Sequence, residues 1–162
     1  MSQLPKTSLA YALLQAARID AAVFGGQSLA DGLLDRVDPT VRPAVQDLVY
    51  GSLRAYGYGD FQLARLLARP LDTPEVHALL LVALYRLETR PDAAHTVVDQ
   101  AVVAAGELAG GRFRGLVNGV LRNYLRQQLQ LQAAAAADAV AAARHPDWWL
   151  RRLQAAYPAD WP

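Results

Sequence analysis

At 162 residues the chain has the length of one domain with a real core, and 53% of it is hydrophobic against 19% charged. That composition excludes a disordered tail or a highly charged arm. Sixteen Lys and Arg against fifteen Asp and Glu leave a net charge of +1, so bulk charge does not announce a nucleic-acid binder. There is no cysteine, which excludes disulfides and thiolate metal sites. The longest strongly apolar run, residues 78–85, is far short of the roughly 20 residues that span a bilayer. No signal peptide is legible at the start. A cytoplasmic protein with no membrane partner is expected.

Helical periodicity dominates, with no convincing alternating strand. A first helix is predicted over residues 7–23, with Leu9, Leu13, Ala16, Ala17 and Ile19 inward and Gly25-Gly26 ending it. Ser28 N-caps a predicted short second helix over 28–35. Asp38-Pro39 turns into a third, where Val45, Leu48, Val49, Ser52, Leu53 and Tyr56 form a full stripe before Gly57 and Gly59 close it. Asp60 is expected to cap a fourth helix over 60–68. Thr73-Pro74-Glu75 reads as an N-cap, a first-turn proline and an acid near the positive dipole end. The fifth helix, to about residue 88, carries Val76, Leu79, Leu80, Ala83, Leu84 and Leu87 as its stripe. Leu81 and Val82 make it apolar nearly all round, which places it at the centre of a bundle.

Thr96 and Asp99 resemble a capping box for a sixth helix with Val98, Ala101, Val102 and Ala105 inward. Residues 109–111 read as a loop, and a seventh helix from about residue 113 buries Val117, Val120, Leu121 and Tyr124. The Ala-rich run 133–143 is intrinsically helical but has little to pack. It is either a spacer or an extension of the seventh helix. Pro146 opens a short last helix bearing Trp148, Trp149, Leu153 and Tyr157, aromatics that fold back on the bundle or cover another domain.

Two segments are near copies. Residues 48–56 read LVYGSLRAY and residues 116–124 read LVNGVLRNY, 68 positions apart. Each places a glycine, Gly51 or Gly119, inside an amphipathic helix, where it costs roughly 1 kcal/mol against alanine. That cost is expected where another helix packs too close for a Cβ. The copies suggest two related helical halves.

Binding chemistry rests on arginine. No acid lies between Glu107 and Asp138, while Arg112, Arg114, Arg122 and Arg126 do. Arg114, Asn118, Arg122 and Arg126 follow an i+4 series that advances about 40° per step, so the row winds from the buried stripe toward solvent. Its functional reading is a phosphate-contacting strip. The bland reading is a solvated face with Arg122 ion-paired inside the fold. Asn118 is expected to satisfy a backbone group. Arg54 sits likewise beside Leu53, and Lys6 and Arg18 extend a basic surface at the first helix.

Catalytic chemistry is not legible. No phosphate-cradling glycine loop follows a strand. His77, His95 and His145 lack ligand spacing, so no metal site is expected. Asp20, Asp47 and Asp99 are read as anchors for arginines rather than as acids or bases, and Ser8, Ser28 and Ser52 have no nearby base in the sequence. No catalytic residue is assigned, and the chain alone is not expected to be an enzyme.

VYGSLR at 49–54, RPLDTPEVHALLLVALYRLE at 69–88, HTVVDQAV at 95–102 and LVNGVLR at 116–122 together resemble the NusB-like domain. They are more closely similar to the amino-terminal domain of the RsmB (Sun/Fmu) family of 16S rRNA 5-methylcytosine methyltransferases, over about residues 8–126. HPDWWLRR at 145–152 resembles the stretch joining that domain to the catalytic part, with Trp149 where Leu is usual. The resemblance implies an all-α bundle of two related halves over residues 1–130, then an Ala-rich helical linker over 131–162 leading to a methyltransferase domain. It implies 16S ribosomal RNA and that catalytic domain as partners. S-adenosylmethionine would be the cofactor of the other domain, with none in this chain. RNA would be contacted through Lys6, Arg18, Arg54, Arg112, Arg114, Arg122 and Arg126. A free-standing NusB-type transcription antitermination factor and a docking domain without RNA contacts remain alternatives.

Overall fold

The computed structural model describes residues 4–138 and Ala141. Among these residues the chain forms seven α-helices linked by short 3-10 turns, and no strand. Helix α1 spans Leu9–Phe24; the Ser8 hydroxyl accepts from the Tyr11 amide at 3.1 Å and so caps it. A further free amide at this end, that of Ala10, donates to Gln100 Oε1 at 3.0 Å. Leu13, Ala16, Ala17 and Ile19 are buried as expected, and Leu9 is half-buried.

The predicted second helix is instead two 3-10 turns, Leu29–Asp31 and Leu34–Arg36. Ser28 does cap the first, in a reciprocal box with Asp31. Gly32, at φ 82°, then turns the chain left-handed and stops any helix from propagating. Helix α2 spans Arg42–Arg54, with Val45, Leu48, Val49 and Ser52 buried.

The chain kinks at Ala55 and helix α3 runs Tyr56–Leu66. Gly57 and Gly59 therefore lie inside a helix rather than ending one, and Asp60 is not its cap. Packing overrides propensity here. Gly57 is buried, and a Cβ on Gly59 would stand 3.3 Å from Leu81 Cδ2 of the next helix. Missing side chains let α3 lie close on its neighbour, and that burial offsets the roughly 1 kcal/mol each glycine costs.

That neighbour, α4, spans Pro74–Thr89. It packs against α1, α2 and α3, and against α5 (Ala94–Ala105) and α6 (Arg114–Arg126). Every residue from 78 to 84 is buried, so the helix that is apolar all round is the bundle's axis. Thr73 holds the N-cap position of α4 but makes no capping bond with its side chain. Helix α5 starts at Ala94, after a 3-10 turn at Pro91–Ala93. Thr96 and Asp99 thus sit within it and form no capping box. Its core side carries Val97, Val98, Ala101, Ala104 and Ala105.

Helix α6 buries Val117, Val120, Leu121 and Tyr124, as its periodicity predicts. A break at Gln127 separates it from α7, Gln128–Ala137. The first part of the Ala-rich region is therefore neither a free spacer nor a continuation of α6. It turns back onto α3 and α6, burying Leu131 and Ala135. Ala135 and Ala141 join Tyr58 and Phe61 in a small satellite cluster. The expected last helix with Trp148 and Trp149 lies outside the described residues.

The two motif copies occupy α2 and α6 but not equivalent surroundings. A Cβ on Gly51 would overlap the Tyr85 ring of α4. Gly119 has nothing within 4 Å of that position, so close approach explains the first glycine and not the second. Tyr56 begins a new helix and meets the Phe24 ring edge-on at a centroid distance of 5.1 Å, whereas Tyr124 stays within α6, fully buried.

Candidate nucleic-acid interface

Four side chains bury one side of α6, so its opposite side must face water. That side carries Gly115, Gly119, Arg122 and Arg126, all exposed, with Arg112 exposed just before the helix. Neither glycine has a neighbour within 4 Å of its Cβ position, so the helix backbone is bare between the arginines. Arg122 Nε donates to Asn118 Oδ1 at 2.9 Å. Asn118 thus orients an arginine instead of satisfying a backbone group, and Arg122 points to solvent rather than into an internal ion pair. Arg126 stands in the last turn, where its charge suits the helix dipole.

Arg112 lies over the Phe113 ring, its Cζ 4.8 Å from the centroid. Arg114 is turned toward the preceding loop: a Cβ on Gly111 would stand 3.6 Å from its Cζ. The positive φ of Gly110 and Gly111, 68° and 81°, lets that loop fold under it. Among the described residues none of these four arginines forms an ion pair. The sequence itself carries no acid between Glu107 and Asp138.

The other predicted contacts sit on different elements and are engaged. Lys6 Nζ lies 3.2 Å from Asp38 Oδ2. Asp38 is held at about 2, first by the Thr40 hydroxyl, then by the Thr40 amide and Lys6. Arg18 Nε is 3.7 Å from Glu75 Oε2, a loose link from α1 to the start of α4. Arg54 Nε donates to the Tyr50 carbonyl at 3.3 Å, on the outer side of α2. The structure places Arg122 and Arg126 on one exposed face of α6, with Arg112 exposed just before that helix. It places Arg114 beside them, and Lys6, Arg18 and Arg54 elsewhere.

Sequence reasoning missed Arg69. It lies in the α3–α4 connection, yet lines the same cavity of about 690 Å³ as Arg112, Phe113 and Leu116. An Arg-Pro pair just beyond a helix end was the only signal. Elsewhere, His77 Nε2 lies 3.3 Å from Asp60 Oδ1. Asp20, read as an anchor for arginine, instead meets the Ser52 hydroxyl inside the core. Among the described residues no group of three or more His, Asp or Glu side chains gathers in metal-binding geometry, and no helix is long and apolar enough to cross a membrane.

Among the described residues, an all-α bundle wraps around one central helix and carries exposed arginines on α6. Residues 9–126 match the NusB family, and the chain belongs to that family. It is 35% identical over 153 residues to the ribosomal RNA small subunit methyltransferase B of Escherichia coli O6:H1, covering 91% of this chain and 35% of that protein. The protein of the same name from Serratia proteamaculans is 38% identical over 143 residues, covering 84% of this chain and 33% of its own length. That from Enterobacter sp. strain 638 is 33% identical over 153 residues. The chain spans about a third of the length of these relatives.

Proposed function

We propose that this chain is the RNA-binding, substrate-positioning domain of an S-adenosylmethionine-dependent 16S rRNA (cytosine-5-)-methyltransferase whose chemistry resides in a separate domain. The observation that carries this reading is the similarity, over 91% of the chain, to proteins named ribosomal RNA small subunit methyltransferase B. The exposed arginines of α6, without an ion pair among the described residues, supply a physical means. Their guanidinium groups bind phosphates in pairs of hydrogen bonds, and release of counterions from the RNA drives association. The described residues do not fit the cofactor. They form no strand and so no strand-to-helix crevice for a nucleoside, and the chain has no cysteine to attack cytosine. The chain's task in this reading is to hold ribosomal RNA in the cytoplasm while the catalytic domain acts.

The test is a titration of the chain with a 16S rRNA hairpin across a salt series. Binding should weaken linearly in log–log form as salt rises. Replacing Arg112, Arg122 and Arg126 together with Ala should flatten the slope by roughly 0.7–0.9 for each phosphate no longer neutralised. Salt-independent or absent binding would favour the docking reading, to which the net charge of +1 is better suited.

A further inference from the structure

The cavity of about 690 Å³ between the α3–α4 connection and the start of α6 falls within the roughly 300–1,000 Å³ of sites that enclose small ligands. Its apolar lining includes Leu67, Leu71, Phe113 and Leu116, all half-buried and packed on the main core. Its charged groups are Arg69, Arg112 and Asp72, a net charge of +1. Asp72 Oδ1 already accepts from the Thr73 hydroxyl at 3.3 Å. The two arginines form no ion pair among the described residues. An apolar floor with two guanidinium groups against one carboxylate matches a flat, partly apolar ring joined to an anion.

We propose that this groove receives one unstacked nucleotide of the bound RNA, its base layered on the Arg112–Phe113 pair and its phosphate held by Arg69. The proposal rests on the RNA-binding reading and adds to it a place where a base, not only the backbone, is touched. Arg112, with its Cζ 4.8 Å from the Phe113 centroid, is already half of such a stack. Guanidinium planes and aromatic rings are the two surfaces on which proteins layer single-stranded bases. The groove lies at the start of α6, where Arg112 lines it, so a strand lying along the exposed α6 arginines runs toward it. A base within a duplex has no free face to offer and is excluded.

The test compares a single-stranded RNA dodecamer with a fully paired RNA duplex on the whole chain. Phe113→Ala and, because Phe113 also supports the core, the exposed Arg69→Glu are the variants. Each should lower affinity for the single strand by roughly 5- to 150-fold, and by at least several-fold more than for the duplex. Arg122→Ala with Arg126→Ala should weaken both RNAs. CMP alone should shift the amide signals of Leu67, Leu71 and Phe113. If the duplex binds but Arg69→Glu and Phe113→Ala weaken both RNAs equally or neither, the groove is not a base site and the RNA-binding reading stands. If neither RNA binds, both fall. Nuclear Overhauser contacts from Trp148 or Trp149 to the Leu67, Leu71 or Leu116 methyls without RNA would make the groove a seat for the chain's own C-terminal segment and overturn the proposal.

Discussion

The Ser52 hydroxyl lies 2.6 Å from Asp20 Oδ2 and 3.1 Å from the Val49 carbonyl oxygen. A hydroxyl has one hydrogen and cannot donate to both acceptors. A proton on the Asp20 carboxyl, donated to Ser52 Oγ while Ser52 donates to Val49, satisfies all three atoms. Asp20 is fully buried, and its Oδ1 has no partner among the described residues. Burial pushes its carboxyl well above the ordinary value of 3.8, with the Ser52 hydrogen bond opposing more weakly.

The sign of the pH dependence follows. A carboxyl raised in the folded state contributes stability that is fully present below 3.8. That contribution is lost as pH climbs toward the raised folded value, by about 1.4 kcal/mol per pH unit. Asp20→Asn keeps a neutral donor toward Ser52 and removes the titration. Urea unfolding of both proteins from pH 4.5 to 8 should therefore show the Asn variant gaining on the native protein as pH rises. A gap independent of pH would mean that Asp20 is not a buried neutral acid.

Gly51 and Gly119, identical in the two motif copies, should respond oppositely to alanine. At Gly51 the new methyl meets the Tyr85 ring, which must swing aside. The expected loss is about 1–3 kcal/mol, and it should disappear in a Tyr85→Ala background. At exposed Gly119 the methyl meets nothing within 4 Å, and helix propensity should add about 0.5–1 kcal/mol. Thermal melts of both variants decide the matter.

Leu129 and Leu131 separate the working face of α7 from its free one. Leu131 is 4% exposed and belongs to the main core, whereas Leu129 is 83% exposed. Leu131→Ala should cost about 2–3 kcal/mol in denaturant unfolding, and Leu129→Ala should stay within about 0.5 kcal/mol of native. Equal effects would mean that α7 is not docked on the bundle.

Where an apolar stripe ran unbroken, as in α4 and α6, the fold was legible in the sequence, because burial there is contiguous and sets both the period and the inward face. Punctuation by small residues misled at Gly57 and Gly59, since whether a glycine ends a helix or admits a neighbour depends on what lies across from it, here Leu81. Thr96 and Asp99 carried the letters of a capping box, but the Pro91 turn had already started α5 at Ala94. The exposure of Arg122 and Arg126 was legible because their spacing is local, whereas the turn of Arg114 toward the Gly110-Gly111 loop was not. Arg69 was not, because its partnership with Arg112 spans the α4 and α5 helices and exists only after folding.

The enclosure of α4 has a kinetic meaning. No partial opening that leaves α1, α2 and α5 in place brings the peptide groups of residues 78–84 to solvent. Their amide hydrogens should exchange only when the entire domain comes apart. This single helix is therefore an internal clock for the fold, and whatever partner grips the outer surface will be registered there as slower exchange.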